Sequence, residues 1–217
     1  MTAGELLDLY RLETVDTAQP YLWSDEFILG ALSDAQVQFC RFTDGISDSS
    51  TDAVTLLNVV AGTDTYAFNP KVLKLRAARR VDTGKPLDVL NVEDMPARSM
   101  YFDGRTGTVS ALITGMDENS VRVWPVPAEP LSVRLTVFRL PLVDLTDGDN
   151  PLVVPLQHQR ALLLWAKHLG YGVHDSEMFD REKSAEFEQK FLAYCASAKV
   201  DQGRARHKPR AVAYGGI

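Results

Sequence analysis

The apolar residues of this chain change their period twice. They recur at helical spacing up to Phe39, in short strand-like runs from Val54 to Leu140, and at helical spacing again from Pro155. Two helical ends that each carry one apolar stripe cannot bury it alone, but they can bury both against each other. The strand-rich segment between them can close on a core of its own. The expected fold is therefore α+β: a discontinuous helical bundle made of N- and C-terminal helices, an inserted, mainly antiparallel β domain (a sandwich or small barrel), and an extended C-terminal tail. Residues 1–50 form the N-terminal helices, 51–142 the β domain, 143–198 the helices that complete the bundle, and 199–217 a basic tail. No internal repeat breaks this plan.

Local signals support each element. Thr2 and Glu5 have the spacing of a capping box ahead of Leu6, Leu9 and Tyr10. Pro20 disfavours helix at Gln19, so Asp16 to Pro20 reads as a loop. Ser24 is an N-cap, Asp25 and Glu26 face the positive end of the helix dipole, and Trp23 with Ile28 forms a hydrophobic staple. Phe27, Ala31, Ala35 and Phe39 continue that stripe. Strands are expected near 54–60, 64–68, 72–82, 86–91, 108–115, 119–125 and 131–139, with a hairpin around Asp117-Glu118-Asn119. Met95 to Gly107 interrupts them as a loop. A helix opens at Pro155 and runs through Leu169, stopped by Gly170 and Gly172. Another runs from Phe179 to Ala198, capped by Asp180, with Glu186 and Lys190 as an i,i+4 pair and Phe187, Phe191, Cys195 and Ala198 as its stripe. The bundle core is assigned to Trp23, Phe27, Phe39, Leu163, Phe187 and Phe191.

Charge and chemistry exclude more than they assign. Residues 1–198 hold 28 acidic and 18 basic side chains, whereas 199–217 carry five basic residues against Asp201. An acidic body repels phosphate backbones, so ordinary duplex binding by the folded part is not expected. The basic tail reads equally as a solvated terminus or as an arm for an acidic partner. Cys40 and Cys195 fall in helical segments and read as buried free thiols, in keeping with a reducing cytosol. No run of 18 apolar residues occurs and the opening lacks a basic-then-apolar pattern, so neither a membrane span nor a signal peptide is expected. His158, His168, His174 and His207 have no metal-ligand spacing. Asp144, Asp147 and Asp149 resemble a calcium loop, but no closing Glu follows and the loop reads as solvated. Asp103 to Gly107 is a turn, not a phosphate cradle. No nucleophile elbow and no convincing carboxylate pair is present, so no catalytic residue, cofactor or metal is assigned.

One stretch is more specific than its physics. Asp16-Thr17-Ala18-Gln19-Pro20-Tyr21-Leu22-Trp23-Ser24-Asp25-Glu26-Phe27-Ile28, continuing to Ser33-Asp34-Ala35-Gln36, resembles the head-to-tail adaptor (connector) proteins of tailed bacteriophages. Phe27 departs from the family's Glu, and Ser33-Asp34 from its Asn-Glu. Val59 to Pro70 looks like the family's first hairpin, and Arg139-Leu140-Pro141-Leu142, Ala161 to Ala166 and Asp175 to Phe187 resemble its later segments. The resemblance implies a non-enzymatic virion protein in the neck, made in the host cytoplasm. It implies a homo-oligomeric ring, usually of twelve copies, that binds the portal protein and receives the next tail component. Genomic DNA would pass through the lumen without specific binding. By the same resemblance, the tail residues Arg204, Arg206, Lys208, Arg210 and Tyr214 are candidates for portal contact. Met100, Tyr101 and Phe102 are candidates for contact with the tail component, or else close the β core. The alternatives are a tail-completion or stopper protein, a tail-associated cell-wall hydrolase, and a host-side binding module.

Overall fold

A computed structural model describes residues 1–95, 104–174 and 179–206. The chain divides into two compact units: one of Met1–Asp44 together with the chain from Val143 on, the other of Gly45–Leu142. The architecture is α+β, with helices at both ends and a curled, mostly antiparallel sheet between.

In the helical unit, α1 spans Ala3–Thr14 behind the Thr2 capping box. The α2 helix spans Asp25–Phe42, and the Phe27 amide donates to the Ser24 hydroxyl at its start. Both staple residues, Trp23 and Ile28, are buried. The helix expected from Pro155 is instead two pieces, α4 (Leu156–Gln159) and α5 (Leu162–Tyr171). Pro155 is extended and outside the helix, and the next amides bond three residues back, His158 to Pro155 and Ala161 to His158. That tight turning, with the Gln159 side-chain Nε2 donating to the Val154 carbonyl, separates the pieces. The last helix, α6, spans Arg181–Arg206, so it continues eight residues beyond the Ala198 expected from its stripe. Lys199, Val200 and Asp201 carry the helix on without an apolar face, which periodicity cannot detect. Asp180 does cap it, accepting from the Lys183 amide at 3.0 Å.

These helices share one core that includes Leu6, Tyr10, Trp23, Ile28, Leu32, Phe39, Leu162, Leu163, Phe191 and Cys195. Both cysteines are buried and neither is in a disulfide, and burial pushes the Cys195 thiol up to about 12. Native protein at pH 8 should therefore resist iodoacetamide, and both thiols should react once denaturant unfolds it. Fast labelling of Cys195 in native protein, read by mass spectrometry, would show that the core opens.

In the β unit, β1 (Ile46–Asp48), a single helical turn α3 (Asp52–Thr55) and β2 (Leu56–Val59) precede β3 (Thr65–Ala67). Then follow β4 (Val72–Arg80), β5 (Pro86–Asn91), β6 (Thr106–Gly107), β7 (Ala111–Thr114), β8 (Ser120–Trp124), β9 (Val126–Pro127) and β10 (Leu131–Arg139). The main sheet runs β1-β10-β4-β5-β7-β8-β3, with β2 also on β10. Strands from both ends of this order contribute to one core, Leu57, Leu75, Leu112, Val121, Val133 and Val137 among them, so the sheet curls on itself. The expected hairpin around Asp117 is present as β7 and β8, with Thr114 opposite Val121.

Two pairings differ from expectation. The Val59 to Pro70 segment is not a hairpin: β2 pairs β10, while β3 pairs β8. The Tyr66 hydroxyl donates toward the Val60 and Thr63 carbonyls and accepts from the Val60 amide, holding the turn that sends the chain from one part of the sheet to another. Further, β5 and β7 pair in parallel, Asp88 opposite Ala111. The interval from Val92 to Ser110 is long enough for the crossover that a parallel pair needs. Asp48 is the buried anchor of this unit. Burial opposes its ionisation, but amides of Ser50 and Thr51 and the guanidinium of Arg139 outweigh it and hold the carboxyl below its usual range.

Candidate functional site

The stretch that carries the family-like motif acts within the fold as a fastening. Asp16 is buried, and its carboxylate accepts from the Leu22 amide at 2.8 Å and from the Arg11 guanidinium at 2.7 Å. Arg11, also buried, donates to the Trp23 carbonyl and to Asp25, and lies 3.7 Å over the Tyr21 ring. The loop between α1 and α2 is thus wound around one guanidinium. The Trp23 indole N–H donates to the Gly170 carbonyl on α5, and its ring meets Tyr10 and Tyr171 edge-on.

The second half of the motif works the same way. The Ser33 hydroxyl accepts from the Leu145 amide, the Gln36 side chain accepts from the Val153 amide, and Asp34 accepts from the Trp165 indole at 2.6 Å. Polar residues on α2 therefore satisfy the backbone of the returning segment, where burial without partners would be costly. Glu13 joins Lys167 and Arg160; burial pushes its carboxyl up, and those two cations outweigh that and leave it below the usual range.

The residues assigned to the bundle core are distributed unequally. Trp23, Phe39, Leu163 and Phe191 are buried, Phe27 is partly buried against the core, and Phe187 is half-buried, stacked on Tyr171 with centroids 5.8 Å apart. Among the portal candidates, Arg204 is exposed in the last turns of α6, 3.5 Å from Asp201. Arg206 ends that helix. Lys208, Arg210 and Tyr214 lie outside the described residues, as do Met100, Tyr101 and Phe102.

The sequence reading missed the buried Arg11–Asp16 pair. The available signal was that Arg11 is one of only two basic residues in the first fifty, placed beside the apolar stripe of α1. It also missed how charge divides. Gly45–Leu142 holds eleven acidic and eleven basic residues, so the −10 of residues 1–198 belongs entirely to the helical unit.

His158 illustrates the electrostatics of that unit. It is buried beside Phe39, with Nδ1 3.0 Å from the Tyr194 hydroxyl, and burial pushes its pKa below the usual 6.5. As pH falls through 6.5 the unfolded chain takes up a proton before the folded one does, so stability is full above 6.5 and declines below it. The slope for this one proton is at most about 1.4 kcal/mol per pH unit. Urea midpoints should fall between pH 7.5 and 5.5, and less so in His158→Gln. Equal slopes in both proteins would remove His158 from the account.

Among the described residues, no group of three His, Cys, Asp or Glu side chains is arranged to hold a metal. No described helix is long and apolar enough to cross a membrane. In the β unit, β4 and β5 pair only at Ala78 and Arg79 and then diverge around a cleft of about 690 Å³. Lys74 and Arg76 line it from β4; Asn91, Asp94, Asp117 and Asn119 line it from the other strands' ends.

A family model described as SU10 adaptor protein matches residues 1–213. None of the curated proteins matches the chain.

Proposed function

The chain belongs to the SU10 adaptor protein family, a family of phage head-to-tail adaptors, and on that premise we propose that copies of it assemble into a ring beneath the portal of a filled capsid. The ring, of twelve copies, extends the DNA channel and offers the platform on which the next tail component docks. The observation that carries this reading is the family match over residues 1–213, nearly the whole chain. The role is structural, with no catalytic step of its own.

Two features of the chain support it. The helical unit holds seventeen acidic and seven basic residues outside the tail, and a surface of that sign lets DNA slide because it forms few phosphate contacts. The basic residues after Val200 suit a contact with portal. Because α6 runs to Arg206, a chain cut at Ala198 would lose helix as well as charge. Arg204→Glu with Arg206→Glu is the cleaner variant, and it should weaken portal binding with folding intact.

Electron microscopy of the full chain, alone and with its portal oligomer, tests the reading. A ring seated on portal supports it. A monomer that ignores portal overturns it, and a chain that binds only a preassembled neck would belong to the stopper level instead.

A further inference from the structure

The arginines of the β10 face and of the β4 end have carboxylate partners: Arg80 with Asp82, Arg134 with Asp52, Arg139 with Asp48. Lys74, Arg76 and Arg79, the three outward cations of β4, are all exposed and have no carboxylate partner among the described residues. Arg79 stands opposite Arg134 in the register, and the Arg76 guanidinium lies 6.0 Å from the Phe138 ring. Of the two facing arginines Arg134 is offset by Asp52, so the charge without a carboxylate beside it is that of Arg79. Exposed Leu73 and Val81 flank the row, the composition of a contact surface with an apolar part and a charged part.

The helical unit carries the matching charge. Asp144, Asp147 and Asp149 are exposed and form no ion pair among the described residues. Their loop is held in place: the Asn150 side chain accepts from the amides of Thr146 and Asp147, and the Gly148 and Asn150 carbonyls accept from the amides of Gly4 and Ala3 at the start of α1. Exposed Asp8 lies on that same helix, and exposed Val143 and Val153 flank the loop.

We propose that the Lys74–Arg76–Arg79 row of one copy docks on the Asp144–Asp147–Asp149 loop of the next. The occupant is a second copy of this chain, met head to tail. Such a contact joins two different patches, so each copy offers one of each and the contact repeats until the ring closes. Complementary charge sets the register and speeds encounter. This inference rests on the ring reading and names the surfaces that build it.

Three variants test it: Lys74→Glu/Arg76→Glu/Arg79→Glu, Asp144→Lys/Asp147→Lys/Asp149→Lys, and the combination of all six. Circular dichroism confirms folding, and ring yield on portal is counted by electron microscopy. Each single-patch variant should lose at least about tenfold in ring yield, given that like-charge juxtaposition costs several kcal/mol. The combination should regain it. Mixing the two single-patch variants should also restore rings, because copies with two acidic patches can alternate with copies bearing two basic ones.

Wild-type rings matched by undiminished rings of the cation-reversed variant would overturn the contact and leave the ring reading standing. So would folded six-residue variants and mixtures that recover nothing. A wild-type chain that never self-associates on portal would overturn both. Intact rings of the cation-reversed variant that no longer retard linear duplex DNA would make the row a phosphate contact and sink the proposal.

Discussion

Arg11→Ala is expected to destabilise the helical unit by about 3–5 kcal/mol, the cost of removing one member of a buried ion pair. The size follows from what would be left behind. Asp16 is 3 % exposed, and its carboxylate would keep the Leu22 amide while losing its cation. The Trp23 carbonyl would lose a donor as well. Arg11→Lys should recover little, because one ammonium cannot reach Asp16, the Trp23 carbonyl and Asp25 with the geometry of a guanidinium. The contrast is Asp25→Ala. That side chain is 65 % exposed, and pairs of that kind contribute less than about 1 kcal/mol. Urea denaturation of the three variants measures the difference. A loss for Arg11→Ala no larger than that for Asp25→Ala would mean that Asp16 finds water or another partner.

Gly170→Ala should cost about 2–3 kcal/mol by overpacking, although alanine is favoured in a helix by about 1 kcal/mol. A Cβ at Gly170 would lie 2.1 Å from the Tyr10 hydroxyl and 3.4 Å from both Tyr10 Cζ and Trp23 Cε2. Only the hydroxyl collides; the other two are ordinary contacts. That hydroxyl is buried without a hydrogen-bond partner among the described residues, and burial pushes the phenol well above its usual range. Tyr10→Phe alone should therefore be neutral or stabilise by up to about 1 kcal/mol. In that background Gly170→Ala should reverse sign and become neutral or mildly stabilising. A double-mutant cycle on thermal or urea midpoints reads the coupling directly. Additive effects would place the strain of Gly170→Ala somewhere other than the hydroxyl.

Both variants remove or disturb contacts to the segment that makes the chain recognisable: Arg11 binds Asp16 and the Trp23 carbonyl, and Gly170 accepts from the Trp23 indole. The Asp16 to Gln36 stretch looks like a signature because four of its polar residues have a backbone to satisfy: Asp16 the α1–α2 loop, Ser24 the start of α2, Ser33 and Gln36 the returning chain. Phe27 in place of the family's Glu is tolerated because it lies against the core at a partly buried position.

What the sequence shows without the tertiary structure is local. The capping box at Thr2, the cap at Ser24, the Trp23–Ile28 staple and the β7–β8 hairpin all lie within a few residues, and the two changes of apolar period were enough for the α+β class. Those features depend on backbone geometry and side-chain period, which a short window contains. The break between α4 and α5 and the continuation of α6 were not legible, because neither alters an apolar stripe.

By itself, then, the sequence determined where most helices and strands form, that the ends must share a core, and that residues 1–198 carry a net negative charge. Only the tertiary structure decided that β2 and β3 turn away from each other to β10 and β8, that β5 pairs β7 in parallel, and that Arg11 closes on Asp16. It also decided which cations are left without partners on β4. Each of these is set by competition among groups far apart in the chain. The winner is whichever arrangement leaves the fewest buried amides, carbonyls and charges unsatisfied, a condition that no short segment can evaluate alone.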